Sequence, residues 1–231
     1  MSTLLPLALL VFGADGVGFQ AEIGYEPALL IRGGDYTYSV SIFPDFVDNF
    51  YLSHSISGKV GVQLPSDFGI RTTGSFSSSN IPYSKSNIDM EGVWLPSPAN
   101  WVSHEVTVGA EAMHPVGLRA RKTSVLLGVS IIFGKVKGDN NFYRHDPETD
   151  YRTYDTKSKI LGFQGYLGLN IPLFSFDQFR LQVSPTLKGG AAKEQSVEGV
   201  PDDGAWIGPL TLSKWGMALG INLNYDGGKK Q

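Results

Sequence analysis

The stretch KILGFQGYLGLNIPLFSFDQFRLQVSPTLKGG, residues 159 to 190, is apolar at nearly every second position, with small or polar residues between. A strand sends successive side chains to opposite faces. Leu161, Phe163, Leu167, Leu169 and Ile171 therefore share one face, interrupted only by Gly165, while Gly162, Gln164, Tyr166, Gly168 and Asn170 share the other. After PLFSFDQ the pattern resumes, with Phe179, Leu181, Val183, Pro185 and Leu187 opposite Arg180, Gln182, Ser184, Thr186 and Lys188. Two architectures fit such segments: a half-buried sheet in a soluble sandwich, or a transmembrane barrel with an apolar exterior and a polar lumen.

The same alternation recurs in residues 18 to 31, 53 to 64, 68 to 77, 101 to 113, 118 to 136 and 209 to 225, which makes eight strands. Their links sort by length. Residues 65–67, 114–117 and 172–178 form short connections, whereas 32–52, 78–100, 137–157 and 191–208 form long ones. Long loops thus leave one end of the sheet and short turns the other, the layout of an outer-membrane barrel. Residues 36–43 and 86–95 also alternate. Ten strands are therefore the competing count, but both segments are expected as hairpin extensions above the membrane.

A chain of 231 residues suits one all-β domain, and a formal charge of −3 gives no electrostatic case for nucleic acid as a partner. The 28 glycines, 12% aromatic residues and 18% charged residues suit strands, turns and a lipid-facing surface. With no cysteine, disulfides and thiolate metal sites are excluded. The sequence has no apolar run long enough for a transmembrane helix. LLPLALLVFG at 4–13 has the length of a signal-peptide core, so residues 1–17 are expected to be an export-signal remnant and residues 18–231 the barrel. Trp215 and Tyr225 are ten positions apart on the apolar face. On a strand tilted near 45° they stand roughly 23 Å apart along the membrane normal, close to an outer-membrane apolar band of about 25 Å with aromatic edges. Tyr25, Trp101, Trp215 and Tyr225 are the expected membrane-interface aromatics.

FQAEIGYEPALLIRGGD, GFQGYLGLNIPL followed by FRLQVSPTLKGG, and GMALGINLNYDGGKK resemble the outer-membrane β-barrel proteins of Bacteroidetes, including PorT-like and small OmpA-type barrels. The resemblance runs from Gly18 onward and lies in strand patterns. It implies an eight-stranded antiparallel barrel placed in the outer membrane by the insertion machinery, usually without enzymatic activity. Many such barrels end on an aromatic residue, whereas here DGGKKQ follows Tyr225.

The interior of eight strands is just wide enough for side chains to fill. Glu22, Glu26, Glu105 and Glu111 are expected inside it against Lys59, Arg71, Lys122, Arg180 and Lys188, a near balance of sign that favours mutual pairing. A barrel enzyme would need a histidine beside a nucleophile or carboxylate. LSHSISG is similar to the His-x-Ser arrangement of lipid A deacylase barrels, but period two turns His54 away from Ser55 and Ser57, and separates His104 from Glu105. His114 falls in a short turn, and His145, Asp146, Glu148 and Asp150 form an acidic run that oxygen-ligated cations favour. Solvated loop surface is the more ordinary role for such a run. No catalytic, metal or cofactor site is therefore expected. The chain reads as a scaffold or adhesion barrel with a plugged lumen, in contact with outer-membrane lipid. It would meet a partner protein or surface glycan through its loops, where Trp94, Tyr143, Tyr151, Tyr154 and Trp206 are candidate contacts. A narrow channel for ions or small solutes is the alternative; a lipid-modifying enzyme ranks third.

Overall fold

Period-two alternation becomes nine strand segments: β1 Gly18–Ile31, β2 Phe50–Gln63, β3 Gly69–Pro82, β4 Asn100–Pro115, β5 Ser124–Tyr143, β6 Tyr151–Phe176, β7 Phe179–Glu198, β8 Thr211–Ser213 and β9 Gly216–Gly227. The computed structural model describes residues 17–31, 50–64, 66, 68–82, 100–116, 123–143, 151–199 and 211–227. All pairings are antiparallel between neighbours, β1 also pairs with β9, and β9 with β7, so the sheet closes on itself. β8 and β9 share one place in the ring. Their register against β7 is unshifted, from Ala191↔Ser213 to Lys188↔Gly216. Across the short gap the Lys214 N–H donates to the Gly190 carbonyl at 2.9 Å, and the Ile31 N–H to the Trp215 carbonyl at 2.7 Å. Nine segments thus make eight positions, and closure leaves no edge among them to meet lipid.

One circuit of the ring fixes its shape. Met217 pairs with Leu187, then Leu167, Leu127, Ala112, Ile70, Val62 and Phe19, which pairs with Gly227. The path returns to β9 ten residues from its start. For eight strands this stagger goes with strands tilted about 35–45° from the barrel axis.

Burial follows the pleat. Ile23, Ile56, Val108, Leu127, Val129, Phe163, Met217 and Leu219 are half to two-thirds exposed, while Gln20, Glu22, Arg71, Glu111, Ser130, Gln182 and Asn222 on the alternate positions are buried. A soluble sheet would invert this, because exposed apolar area in water is unfavourable. The exterior is a lipid-facing belt, and the chain is a transmembrane β-barrel. Val129 lies near mid-belt at 63% exposure, beside the inward Ser130. Val129→Arg is expected to cost about 2–4 kcal/mol in bilayer refolding, read from the urea midpoint in zwitterionic vesicles. An unchanged midpoint would mean that this face does not meet lipid.

Two inward glycines make room for large rings. A Cβ at Gly128 would overlap the Tyr166 ring, and one at Gly138 the Trp101 indole. Both are direct cross-strand partners, Gly128↔Tyr166 and Trp101↔Gly138, so the bare backbone lets each ring lie across the neighbouring strand.

The strands depart from the sequence reading at their ends. β5 starts at Ser124 instead of residue 118, which puts Lys122 outside the described residues. Most of 137–157, expected as a loop, is a paired hairpin arm running to Tyr143 and from Tyr151, with Asp139↔Asp155 and Phe142↔Arg152 in register. β3 likewise continues to Pro82 and β7 to Glu198. GDNNFY and YRTYDT carry no apolar face, so alternation does not mark them while the backbone ladder continues. PLFSFDQ is mostly strand as well, turning at Asp177 and Gln178; Asp177 sits at φ 51°, a left-handed conformation that Asp tolerates. Residues 1–16, 36–43 and 86–95, on which the leader and the ten-strand count bear, lie outside the described residues.

Candidate functional site

The lumen holds the polar residues that alternation turns inward, and they fall into levels. Nearest the short turns is an amide layer. Gln20 Nε2 donates to Gln63 Oε1 at 3.0 Å and to Asp226 Oδ1 at 3.2 Å, Ser184 Oγ donates to Asn170 Oδ1 at 3.0 Å, and Asn222 Nδ2 to Ser184 Oγ at 2.7 Å. Arg180 closes this end in a half-exposed pair with Asp226 at 2.9 Å.

Above it four charges from four strands meet. Arg71 Nε donates to Glu111 Oε1 at 2.8 Å, its Nη1 donates to Glu22 Oε2 at 2.7 Å, and its Nη2 also reaches Glu111. Lys59 Nζ is 3.0 Å from Glu111 Oε2 and 3.0 Å from Glu22 Oε1. Tyr166 donates its hydroxyl proton to Glu111 Oε2 at 2.8 Å. Two carboxylates face two cations, so the cluster is formally neutral. The planar fork of Arg71 suits it to bridge two acids in a way that a point charge does not. Register explains the convergence: Glu22↔Lys59 on β1 and β2 and Arg71↔Glu111 on β3 and β4 are direct partners. A separate pair, Glu26 with Lys188, lies beside this square, supported by Ser55 and Thr186.

Toward the long loops the lumen changes character. Leu30, Ile81, Trp101, Ile132, Val136, Ile160, Ala192 and Leu212 form one buried apolar cluster across the barrel. An ion pair is set among them. Lys214 Nζ lies 2.6 Å from Glu105 Oε1, which also accepts from Ser103 Oγ at 2.9 Å. The same ammonium stands 5.8 Å from the centre of the Tyr51 ring, and Tyr51 donates to the Ser213 carbonyl at 2.7 Å.

Of the nine lumen charges expected from sequence, the structure brings Glu22, Lys59, Arg71 and Glu111 together and pairs Glu26 with Lys188. It gives Glu105 to Lys214, places Arg180 at the short-turn rim, and does not describe Lys122. Lys214, Tyr51, the Ser158–Glu194 hydrogen bond and the apolar layer stand outside that expectation. The doublets LL at 29–30 and II at 131–132 are the available signal, since adjacent apolar residues put one on each face.

Trp101 corrects the interface assignment: it is 8% exposed and points inward. It shares the parity of Ser103 and Glu105, so its place near a loop misleads while its position in the pleat does not. Tyr25 and Trp215 do face outward at 45% and 63% exposure, and Tyr225 packs at 5.4 Å from Phe179, which continues to Phe176 and Phe174 as an aromatic run. His54 is exposed and bonded to the Tyr25 hydroxyl at 2.7 Å, while Ser55 is buried; His104 stacks on Phe76, and His114 lies 6.4 Å from Phe68. The acidic run from His145 to Asp150, Trp94, Trp206 and the side chains of Tyr143, Tyr151 and Tyr154 lie outside the described residues.

No family model matches the chain, and no curated protein matches it. Among solved structures it is similar to a major outer membrane protein from Thermus thermophilus, with TM-score 0.46 and 13% identity over 92% of this chain and 100% of that one. It is also similar to Neisserial surface protein A, with TM-score 0.39 and 12% identity over 92% and 98% of the two chains. A third is Ail, the attachment invasion locus protein of Yersinia pestis, solved with the heparin analogue sucrose octasulfate, with TM-score 0.36 and 14% identity over 89% and 98%. The closed antiparallel ring, the apolar belt and its aromatic edges make this chain a transmembrane β-barrel of the kind those structures share.

Proposed function

We propose that the barrel is a non-catalytic, non-conducting scaffold that holds its loop-side end in place to contact a partner protein or a surface glycan. The observation that carries this reading is the filling of the lumen. Arg71 on β3, Glu111 on β4, Leu126 and Ile132 on β5, and Lys214 between β8 and β9 are each at most 1% exposed. A solute path needs continuous wetted space, and an apolar layer opposes wetting even where it is not fully closed. Below that layer every buried charge among the described residues has an opposite partner, which favours a fixed plug over a row of sites that an ion could hop between. The resemblance of its strand patterns to Bacteroidetes outer-membrane barrels supports an affiliation with that type.

Planar-bilayer conductance of the refolded chain tests the reading, alongside the Arg71→Ala/Glu111→Ala double variant. The wild type is expected to be silent and the variant to open at most sporadically. Steady ion-selective current in the wild type that shifts in the variant would instead make the barrel a channel.

A further inference from the structure

On the outer wall, two consecutive cross-strand pairs on β5 and β6 are lysine against lysine: Lys135↔Lys159 and Lys137↔Lys157. All four are exposed. Like charges directly opposite on one face of a sheet destabilise it, so a doubled pair calls for a compensating anion. Among the residues whose side chains are described the compensation is thin. Among the described residues only Lys159 has a carboxylate near it, Glu198 at 3.9 Å, with both side chains about two-thirds exposed. Asp139 and Asp155 are paired two residues further along the same ladder, away from the belt. On β7 the exposed Lys193, paired with Leu161, adds a fifth cation beside the square.

Position identifies the anion. Immediately toward the membrane lie Ile131 and Phe133 on β5 and Leu161 and Phe163 on β6, all exposed belt residues. Following the register and tilt from Trp215, the four lysines stand roughly 5 to 13 Å beyond the aromatic edge on the loop side. That is headgroup level, on the flank of the barrel, where lipid phosphates are concentrated and soluble polyanions are not. We propose that Lys135, Lys137, Lys157 and Lys159 form a docking site for the phosphate groups of an outer-leaflet lipid, whose acyl chains lie against Ile131, Phe133, Leu161 and Phe163. Ammonium groups bind phosphate through charge-assisted hydrogen bonds, and each basic residue near an anionic surface adds to the attraction. The site orients the barrel and sets its depth, and it does not depend on how the lumen or the loops are used.

Native mass spectrometry of the full chain, released in neutral detergent, tests this with bisphosphorylated lipid A, the same lipid stripped of phosphate, inorganic phosphate and dextran sulfate as separate probes. The Lys135→Gln/Lys137→Gln/Lys157→Gln/Lys159→Gln variant is expected to lose affinity for the bisphosphorylated lipid by about tenfold or more. The corresponding four-Arg variant should keep it, and the stripped lipid should bind both weakly. Should the four-Gln chain fail to reach the heat-modifiable folded form, the wild type still decides the matter: its lipid retention must fall with added salt and with removal of phosphate. Equal retention by wild type and folded four-Gln chain, or insensitivity to both salt and phosphate removal, would overturn the proposal. Lysine-dependent binding of inorganic phosphate or dextran sulfate as tight as that of the lipid would also overturn it, in favour of a soluble-anion site.

Discussion

Arg71→Ala is expected to destabilise the folded barrel by about 3–5 kcal/mol, because it strips the main counter-charge from two buried carboxylates at once. Arg71 is 1% exposed and is held by Glu22 on one side and Glu111 on the other. Without it, Lys59 faces both acids alone, and Lys59 is the only member of the square with measurable side-chain exposure, 12%. Two carboxylates sharing one ammonium leave a net buried negative charge, which a dry interior penalises far more than water does. Urea unfolding in zwitterionic vesicles, followed by heat-modifiable gel mobility, measures the loss. Arg71→Lys should recover part of it, since an ammonium restores the charge but not the fork that spans both acids. Combining Arg71→Met with Glu22→Gln should be far milder than the single alanine, because Lys59 and Glu111 then remain as a neutral pair and no uncompensated charge is left. If Arg71→Ala costs under about 1 kcal/mol, the square is wet and the plug reading fails with it.

Much of this arrangement could be read from the chain because a β-barrel maps sequence parity directly onto inside and outside. Glu22, Lys59, Arg71 and Glu111 are each assignable to the lumen one strand at a time. Their meeting is not, since it depends on register, and a shift of one pair would put Arg71 beside a different partner. The aromatic residues show the opposite weakness. Trp101 and Trp215 are the same residue type, each near the loop end of its strand, yet one fills the lumen and the other faces lipid. Residue type suggests a girdle for both, and only parity separates them. Lys214 escapes because it falls in the gap between β8 and β9, where the alternation pauses although the register does not. The extended arm of β5 and β6 escapes for a third reason: beyond the belt no apolar face exists to count.

Lys214→Met alone is expected to cost about 3–5 kcal/mol, whereas Lys214→Met combined with Glu105→Leu should be neutral or stabilising by about 1–4 kcal/mol. Both partners are nearly inaccessible, with side chains 1% and 4% exposed, and they are set against a buried apolar cluster, with Ser103 donating to Glu105 and the Tyr51 hydroxyl 3.5 Å from the ammonium. Removing the ammonium leaves Glu105 with a neutral serine donor for a full charge. Removing both groups replaces an ion pair, costly to desolvate, with side chains that suit Ile132, Ile160 and Leu212. The same urea series measures both variants, and an equal loss in single and double would mean that the pair contributes net stability. Conductance of the double variant then separates two roles for this level. If the apolar residues alone exclude water, the Met and Leu replacements complete the seal and the barrel stays silent. If the Lys214–Glu105 bridge is what ties β9 across to β4 and holds the layer shut, its loss should let current through a protein that is no less stable. Stability rising while silence is kept is the result that the packed-lumen reading requires.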